Sequence, residues 1–156
     1  MAFEELKQRQ SVMWGNGPYQ RITDTLGDLH DIVMDRLAPQ PGESWIDLAC
    51  GTGAMAALAA RAGAQVTGVD LAPALIETAK QNAQADGLAI DYRVGDCENL
   101  EGIDDASYDI ASSSVGVMFT PDHAATAGES ARIVKPGGAS ASRTGRPRAA
   151  SAACSR

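Results

Sequence analysis

The stretch Asp47-Leu48-Ala49-Cys50-Gly51-Thr52-Gly53 constrains the fold of this chain more than any other feature. It follows an apolar run at residues 44–46 and precedes an alanine-rich segment at 54–62, a pattern that predicts a strand, a two-glycine turn and a helix. Glycine allows a tight turn and lets a ligand approach bare backbone, while the helix N-terminus presents unpaired N–H groups. The pattern therefore predicts the start of a pocket for a nucleotide-type ligand.

Strand-like and helix-like segments alternate after this turn. Strands are predicted over 44–49, 65–70, 88–94 and 108–113, and helices over 22–37, 54–62, 73–86 and 121–134. Such alternation over short loops predicts an α/β fold with a Rossmann-like, doubly wound parallel sheet. Ligands of these sheets bind beyond the carboxyl ends of the strands, which is where Gly51, Asp70 and Asp96 fall.

The length and composition limit the class of protein. A chain of 156 residues predicts one domain, and no apolar run approaches the roughly 18 residues that a membrane span needs. The polar N-terminus predicts no secretory signal. Cys50, Cys97 and Cys154 are odd in number and widely spaced, which favours a reducing cytoplasm over a disulfide framework or a metal site. We expect a cytoplasmic protein without a membrane partner.

The charge is negative and unevenly distributed. The net charge is −7, although four of the 13 basic residues lie in the last 18 positions, where there is no acid. The body of the chain is therefore more acidic than the total indicates. An acidic body matches a phosphate backbone poorly, so we expect no nucleic-acid partner.

The glycine turn alone leaves the cofactor open, because Gly51, Gly53 and Ala56 also satisfy the dinucleotide pattern G-x-G-x-x-A. Asp70 lies 19 positions after Gly51, where an acid can accept hydrogen bonds from ribose hydroxyls. Asp96 follows the third predicted strand and can bind an adenine amino group. A further acidic contact suits a cofactor without phosphates, which favours it over a dinucleotide.

Five motifs in order resemble those of the class I S-adenosylmethionine-dependent methyltransferases. They are 47–53 (glycine turn), 68–71 (ribose acid), 95–100 (adenine loop), 108–110 (fourth strand) and 132–138 (turn before the fifth strand). The resemblance covers about residues 12–138. Within the family, residues 114–123 are similar to the ubiquinone and menaquinone C-methyltransferases, which act on small molecules.

The resemblance implies which residues contact S-adenosylmethionine along the first two strands. Gly51 and Gly53 bring backbone against the aminocarboxypropyl arm, Asp70 chelates the ribose diol, and Leu71 packs on the adenine. Asp47 either contacts the ligand directly or fixes the glycine turn through backbone N–H groups. Both readings of Asp47 stay open at the level of sequence.

Two further groups of residues follow from the same resemblance. Asp96 and the backbone N–H of Cys97 read the edge of the adenine. Trp14, Tyr19 and Arg21 close over the methionine end, where Arg21 pairs with the carboxylate of the cofactor. No metal site is implied.

The reaction that the resemblance implies is methyl transfer to a small-molecule acceptor, which depends on positioning more than on side-chain chemistry. No catalytic residue is assigned. His123 is a candidate general base, although a solvent-facing role in the first turn of a helix is the simpler interpretation. His30 is interpreted as structural, and Cys50 as a small buried residue.

The last residues do not fit this family. Residues 139–156 contain no valine, isoleucine, leucine or aromatic residue, and we expect disorder beyond about residue 142. Either this is an ordinary flexible tail, or the reading frame shifts near Gly138. In either case the chain is expected to be C-terminally truncated and to lack the last strands. The fourth strand would then be an exposed edge through which two copies could pair as a homodimer.

The predicted organisation is an N-terminal helical cap at 1–42, a cofactor-binding domain at 43–138 and a low-complexity tail at 139–156. The sequence is consistent with three functions. The first is an S-adenosylmethionine-dependent methyltransferase for a small molecule. The others are a truncated, non-catalytic S-adenosylmethionine-binding remnant and an NAD-dependent dehydrogenase domain.

Overall fold

A computed structural model describes residues 3–142 and contains one parallel sheet. The strands within these residues are β1 (Ser44–Leu48), β2 (Gln65–Asp70), β3 (Ile90–Val94), β4 (Tyr108–Ser113) and β5 (Val134–Ser142). Their order is β3-β2-β1-β4-β5, and all four pairings are parallel. The order reverses between β1 and β4, so the doubly wound α/β fold predicted from the sequence is confirmed.

Helices cover both faces of the sheet. They are α1 (Glu4–Gly15), α2 (Tyr19–Asp24), α3 (Gly27–Leu37), α4 (Ala54–Arg61), α5 (Pro73–Ala85) and α6 (His123–Ile133), with a short 3₁₀ helix at Gly116–Phe119. Successive residues of β1 point to opposite faces, so Trp45 packs with α3 and α4 while Ile46 packs with Ile133 of α6. Each face thus has its own apolar core. Within residues 3–142, none of the helices is long and apolar enough to cross a membrane.

The single helix predicted over 22–37 is two helices. The α2 helix ends at Asp24, and α3 begins at Gly27. The Thr25 hydroxyl donates to the carbonyl of Ile22 at 2.7 Å, a local side-chain bond that favours ending a helix. The apolar stripe therefore continues across a break, and Ile22 at its start is 49% exposed.

The expected exposed edge at β4 is wrong, because β5 pairs with it from Ile110–Ala139 to Ser113–Ser142. Strand pairing uses backbone groups, so it does not require β-branched side chains. Ala139 is 3% exposed and belongs to the same core as Trp45, where a small residue suffices. The strand crosses the boundary predicted at residue 138, and the rest of the predicted tail, residues 143–156, lies outside the described residues.

Candidate cofactor site

A cavity of about 180 Å³ lies at the carboxyl ends of the central strands, beneath α1. Five of the residues predicted to bind the cofactor line it, namely Tyr19, Asp70, Leu71, Asp96 and Cys97. These residues come from α2, the end of β2 and the loop after β3. The fold therefore brings together groups that are more than 70 positions apart in the sequence.

Asp70 ends β2 and is held by two backbone N–H groups. Gly51 donates to its Oδ2 at 2.8 Å, and Ala72 donates to its Oδ1 at 2.9 Å. Burial raises the pKa of this carboxyl, and the hydrogen bonds oppose that rise. Each oxygen keeps a second lone pair, so the carboxylate can still accept hydrogen bonds from two hydroxyls of a ligand.

The backbone of the glycine turn adopts the conformation that its two glycines predict. Gly51 and Gly53 have φ of +56° and +88°, in the left-handed region that glycine adopts without strain. A Cβ at Gly51 would lie 2.6 Å from the ring of Tyr19, and a Cβ at Gly53 would overlap the hydroxyl of Tyr92. Both aromatic rings therefore rest directly on the bare backbone of the turn.

Asp47 lies beneath the turn, in the smaller cavity next to the cofactor cavity. Its Oδ1 accepts a hydrogen bond at 2.8 Å from Ser112, whose hydroxyl accepts another from the indole of Trp45. Burial raises the pKa of Asp47 to about 7, against opposing hydrogen bonds from Ser112 and the backbone of Ala56. The bond to Ala56 ties Asp47 to α4, the helix that follows the turn, and both sequence-based interpretations of Asp47 stay predictions.

The side of the cavity that Asp96 and Cys97 line contains a group that the sequence did not indicate. The ammonium of Lys7 lies 2.6 Å from a carboxylate oxygen of Asp96 and 2.6 Å from one of Glu98. Beside them, Cys97 is buried, and burial raises the pKa of its thiol to about 12. Cys97 is therefore a neutral thiol and contributes its backbone and its bulk.

Aromatic side chains close the cavity from above. Trp14 meets Tyr19 edge-on with ring centroids 6.0 Å apart, and it meets Phe119 at 4.9 Å. Burial raises the pKa of Tyr19 to about 12, so its phenol stays neutral. Arg21, predicted to join this group, is exposed on α2 and is not among the residues that line the cavity.

The two histidines lie outside this cavity. His30 is buried on α3, and its Nε2 is 3.2 Å from the hydroxyl of Ser114 beside the smaller cavity. Burial lowers the pKa of His30, so it is neutral at pH 7. His123 is exposed, and its Nε2 lies 3.2 Å from the carbonyl of Met118 in a separate groove between α6 and the sheet.

Acidic groups outnumber basic ones around the cofactor cavity. Among its lining residues, Asp70, Asp96 and Glu98 are acids, and Lys7 is the one cation. This balance favours a ligand with positive charge and disfavours one with a pyrophosphate. Over residues 3–142, no cluster of three or more His, Cys, Asp or Glu is arranged to hold a metal ion.

Comparison with known proteins identifies the family. Residues 46–141 match the family model described as a methyltransferase domain. An uncharacterized protein of Mycobacterium tuberculosis is 33% identical over 136 residues, which are 86% of this chain and 49% of that protein. The ubiquinone biosynthesis O-methyltransferase of Xanthomonas campestris is 36% identical over 108 residues, covering 69% of this chain and 45% of that protein.

A solved structure agrees with these relatives. The arsenic(III) S-adenosylmethionine methyltransferase of Chlamydomonas reinhardtii superimposes with a TM-score of 0.61 and 31% identity, over 67% of this chain and 40% of that one. The chain spans about half the length of the curated relatives it matches. Fold, motif order and family model agree, and the chain belongs to the class I S-adenosylmethionine-dependent methyltransferases.

Proposed function

We propose that the cavity beneath α1 binds S-adenosylmethionine and that the domain serves methyl transfer to a small-molecule acceptor. The observation that carries this proposal is the set of acids around one cavity. Asp70 faces it from the end of β2, while Asp96 and Glu98 face it from the loop after β3. A family member with this arrangement is suited to a sulfonium cofactor.

The residues present fit that cofactor. Asp70 is fixed by two N–H groups and keeps free lone pairs for a ribose diol. Leu71 gives an apolar surface for the adenine ring, and Asp96 gives an acceptor for its amino group. The rings of Tyr19 and Tyr92 cover the backbone of Gly51 and Gly53, so contact between the amino-acid arm and Gly51 requires the ring of Tyr19 to move aside. Asp47 lies beneath the turn.

When bound, the cofactor supplies a methyl group on a good leaving group, so the protein needs to position the reactants and exclude water. The rings of Trp14, Tyr19 and Phe119 form an apolar cover for this purpose. The phenol of Tyr19 remains protonated and can donate a hydrogen bond near the methionine end. We assign no general base.

The proposed acceptor is a small molecule. One relative is named for ubiquinone biosynthesis and a similar structure for arsenic(III), and both names refer to small molecules. A non-catalytic S-adenosylmethionine-binding domain is the second candidate, since this chain matches only about half of the length of these relatives. An NAD-dependent dehydrogenase is disfavoured, because a pyrophosphate would meet the acids of the cavity.

Thermal unfolding and turnover together test the proposal. We expect S-adenosylhomocysteine to raise the unfolding midpoint and NAD to leave it unchanged, because only a bound ligand stabilises the folded state. Conversion of S-adenosylmethionine with a panel of phenols, quinols and amines then separates the two candidates. Stabilisation without any turnover favours the binding domain, and stabilisation by NAD alone contradicts both.

Pairing of two copies through a sheet edge also remains a proposal. Within the described residues, the outer edge next to β4 now belongs to β5, which contains Pro136 and Gly137. Proline has no N–H to donate, and Gly137 has φ of +79°, so this part of the edge pairs poorly. We expect any such dimer to be weak, with a mass that falls to that of a monomer on dilution in light scattering.

A further inference from the structure

The α1 helix lies across the cofactor cavity and is attached to its rim by polar contacts. Ser11 donates to the carbonyl of Leu71 at 3.1 Å, and Gln10 donates to the carbonyl of Phe119 at 2.9 Å. Lys7 adds the ion pairs with Asp96 and Glu98. Val12 and Met13 on the same helix are 64% and 57% exposed, so apolar packing contributes little at that part of α1.

Lys7 is buried, which is unusual for a lysine. Its residue is 5% exposed, and its ammonium lies between two carboxylates. Burial alone would lower the pKa of Lys7, but the hydrogen bonds to Asp96 and Glu98 outweigh it and the pKa is raised. Buried lysines are rare unless paired, and this one is paired inside the candidate site.

The pairing fixes the carboxylate that faces the adenine position. The Oδ2 of Asp96 accepts from Lys7 at 2.6 Å, and its Oδ1 accepts from the backbone N–H of Glu98 at 2.9 Å. With one donor on each oxygen, the carboxylate plane cannot rotate freely. Each oxygen keeps a second lone pair, so Asp96 can still accept from a ligand amino group.

We propose that Lys7 is a positioning residue that orients Asp96 toward the amino group of the adenine and fastens α1 over the bound cofactor. This inference rests on the proposed cofactor site. It assigns to α1 a part in selecting the base of the cofactor as well as covering it. A site that is built to bond one polar group discriminates against a ligand that lacks it.

The test compares Lys7→Met with the control Lys80→Met, which changes an exposed lysine on α5. The two ligands are S-adenosylhomocysteine and S-inosylhomocysteine, which carries a carbonyl oxygen where adenine has its amino group. We expect the wild-type protein to prefer the adenosyl ligand and Lys7→Met to lose about tenfold of that preference. We expect Lys80→Met to keep it.

Two further variants separate positioning from folding. Lys7→Arg keeps the charge and should restore the preference, whereas the uncharged Lys7→Gln should lose it like Lys7→Met. Unfolding midpoints without ligand report any loss of structure. The inference is overturned if Lys7→Met changes both affinities equally, or if it binds the adenosyl ligand more tightly. If the wild-type protein binds neither ligand, the proposed function itself fails.

Discussion

The two walls of the cofactor cavity are built in different ways. We call residues 44–53, 65–72 and 90–97 the floor, and residues 4–24, which contain α1 and α2, the lid. The floor consists of paired parallel strands and a glycine turn, and its strands β1 and β2 are almost wholly buried. The lid is held by polar contacts to the rim and by the contacts of Trp14.

This difference indicates how the two walls should respond to change. Burial of apolar side chains supplies most of the stability of a fold, whereas exposed polar contacts supply little. Changes in the floor should therefore alter both unfolding and ligand binding. Changes at exposed positions of the lid should alter binding, or nothing, at nearly constant stability. A change at the buried Lys7 should also lower stability, because it leaves two carboxylates without their cation.

The largest effect is expected at Asp70 in the floor. Asp70→Ala removes the proposed acceptor for the ribose diol, the hydrogen bond from Gly51 in the glycine turn and the bond from Ala72 at the start of α5. Loss of such bonds to a charged group costs about 3 kcal/mol, or roughly a hundredfold in affinity. Calorimetric titration with S-adenosylhomocysteine should show an affinity about a hundredfold below that of the wild-type protein. Asp91→Ala, at an exposed acid of β3, is the control, and equal affinity in both variants would remove Asp70 from the site.

The next largest effect is the pH dependence of stability that Asp47 causes. Burial raises the pKa of folded Asp47 to about 7, above the ordinary value of 3.8, so the folded state binds the extra proton. The stability from this group is full below pH 4 and is lost as the pH rises toward 7. Between pH 4 and pH 8 we expect Asp47→Asn to lose less unfolding free energy than the wild-type protein, by about 2–3 kcal/mol. Urea unfolding of both proteins at pH 4, 5.5 and 8 measures this difference.

The pH test of Asp47 has a clear contrary outcome. Asparagine keeps an acceptor for the Ser112 hydroxyl but cannot ionise, so the variant isolates the titration. Burial lowers the pKa of His30, which makes it act in the opposite direction, with stability lost as the pH falls. Since His30 is present in both proteins, its effect cancels in the difference. Parallel pH profiles for the two proteins would show that the pKa of Asp47 is the same in the folded and unfolded states.

A smaller effect is expected from the glycine turn. Gly53→Ala and Gly87→Ala both place alanine at positive φ, but only the first brings a Cβ against Tyr92, while Gly87 faces open space. Their difference in unfolding free energy isolates the contact. We expect Gly53→Ala to be less stable by about 1–2 kcal/mol more than Gly87→Ala, from overpacking. Equal losses in urea unfolding would mean that Tyr92 moves aside freely.

The smallest effect is expected at Arg21 in the lid. The role implied by family resemblance, pairing with the cofactor carboxylate, would make Arg21→Ala costly. Arg21 is exposed on α2 and is not among the residues that line the cavity. We therefore expect the affinity for S-adenosylhomocysteine to change by less than about twofold, within the range of ordinary surface substitutions. A tenfold loss would show that α2 rearranges when the cofactor binds.

The contrast between the floor and the lid also explains which features of the site the sequence could predict. The floor was predictable because strand runs, turn glycines and acids at strand ends follow local rules, and Gly51, Asp70 and Asp96 meet at one edge as expected. The attachment of the lid was not predictable, because α1 has no amphipathic pattern that would indicate which of its faces packs on the sheet domain. Lys7 meets Asp96 across 89 positions, and no local signal predicts such a pair.

The fifth strand shows a second limit of sequence patterns. Residues 139–142 read Ala-Ser-Ala-Ser, a composition that predicts no strand by propensity. The strand forms beside β4 because backbone pairing is available there and Ala139 fits against the core that contains Trp45. Propensity scales average over many sheets. At residues 139–142, pairing with the neighbouring strand β4 outweighs the low strand propensity.

The proposed cofactor of the acidic cavity beneath α1 is S-adenosylmethionine and not a dinucleotide. Isothermal titration of the whole chain with S-adenosylhomocysteine, and separately with NAD, tests it most directly. We expect one site per chain for S-adenosylhomocysteine and no measurable heat of binding for NAD. Binding of NAD at one site per chain, with none for S-adenosylhomocysteine, would contradict it.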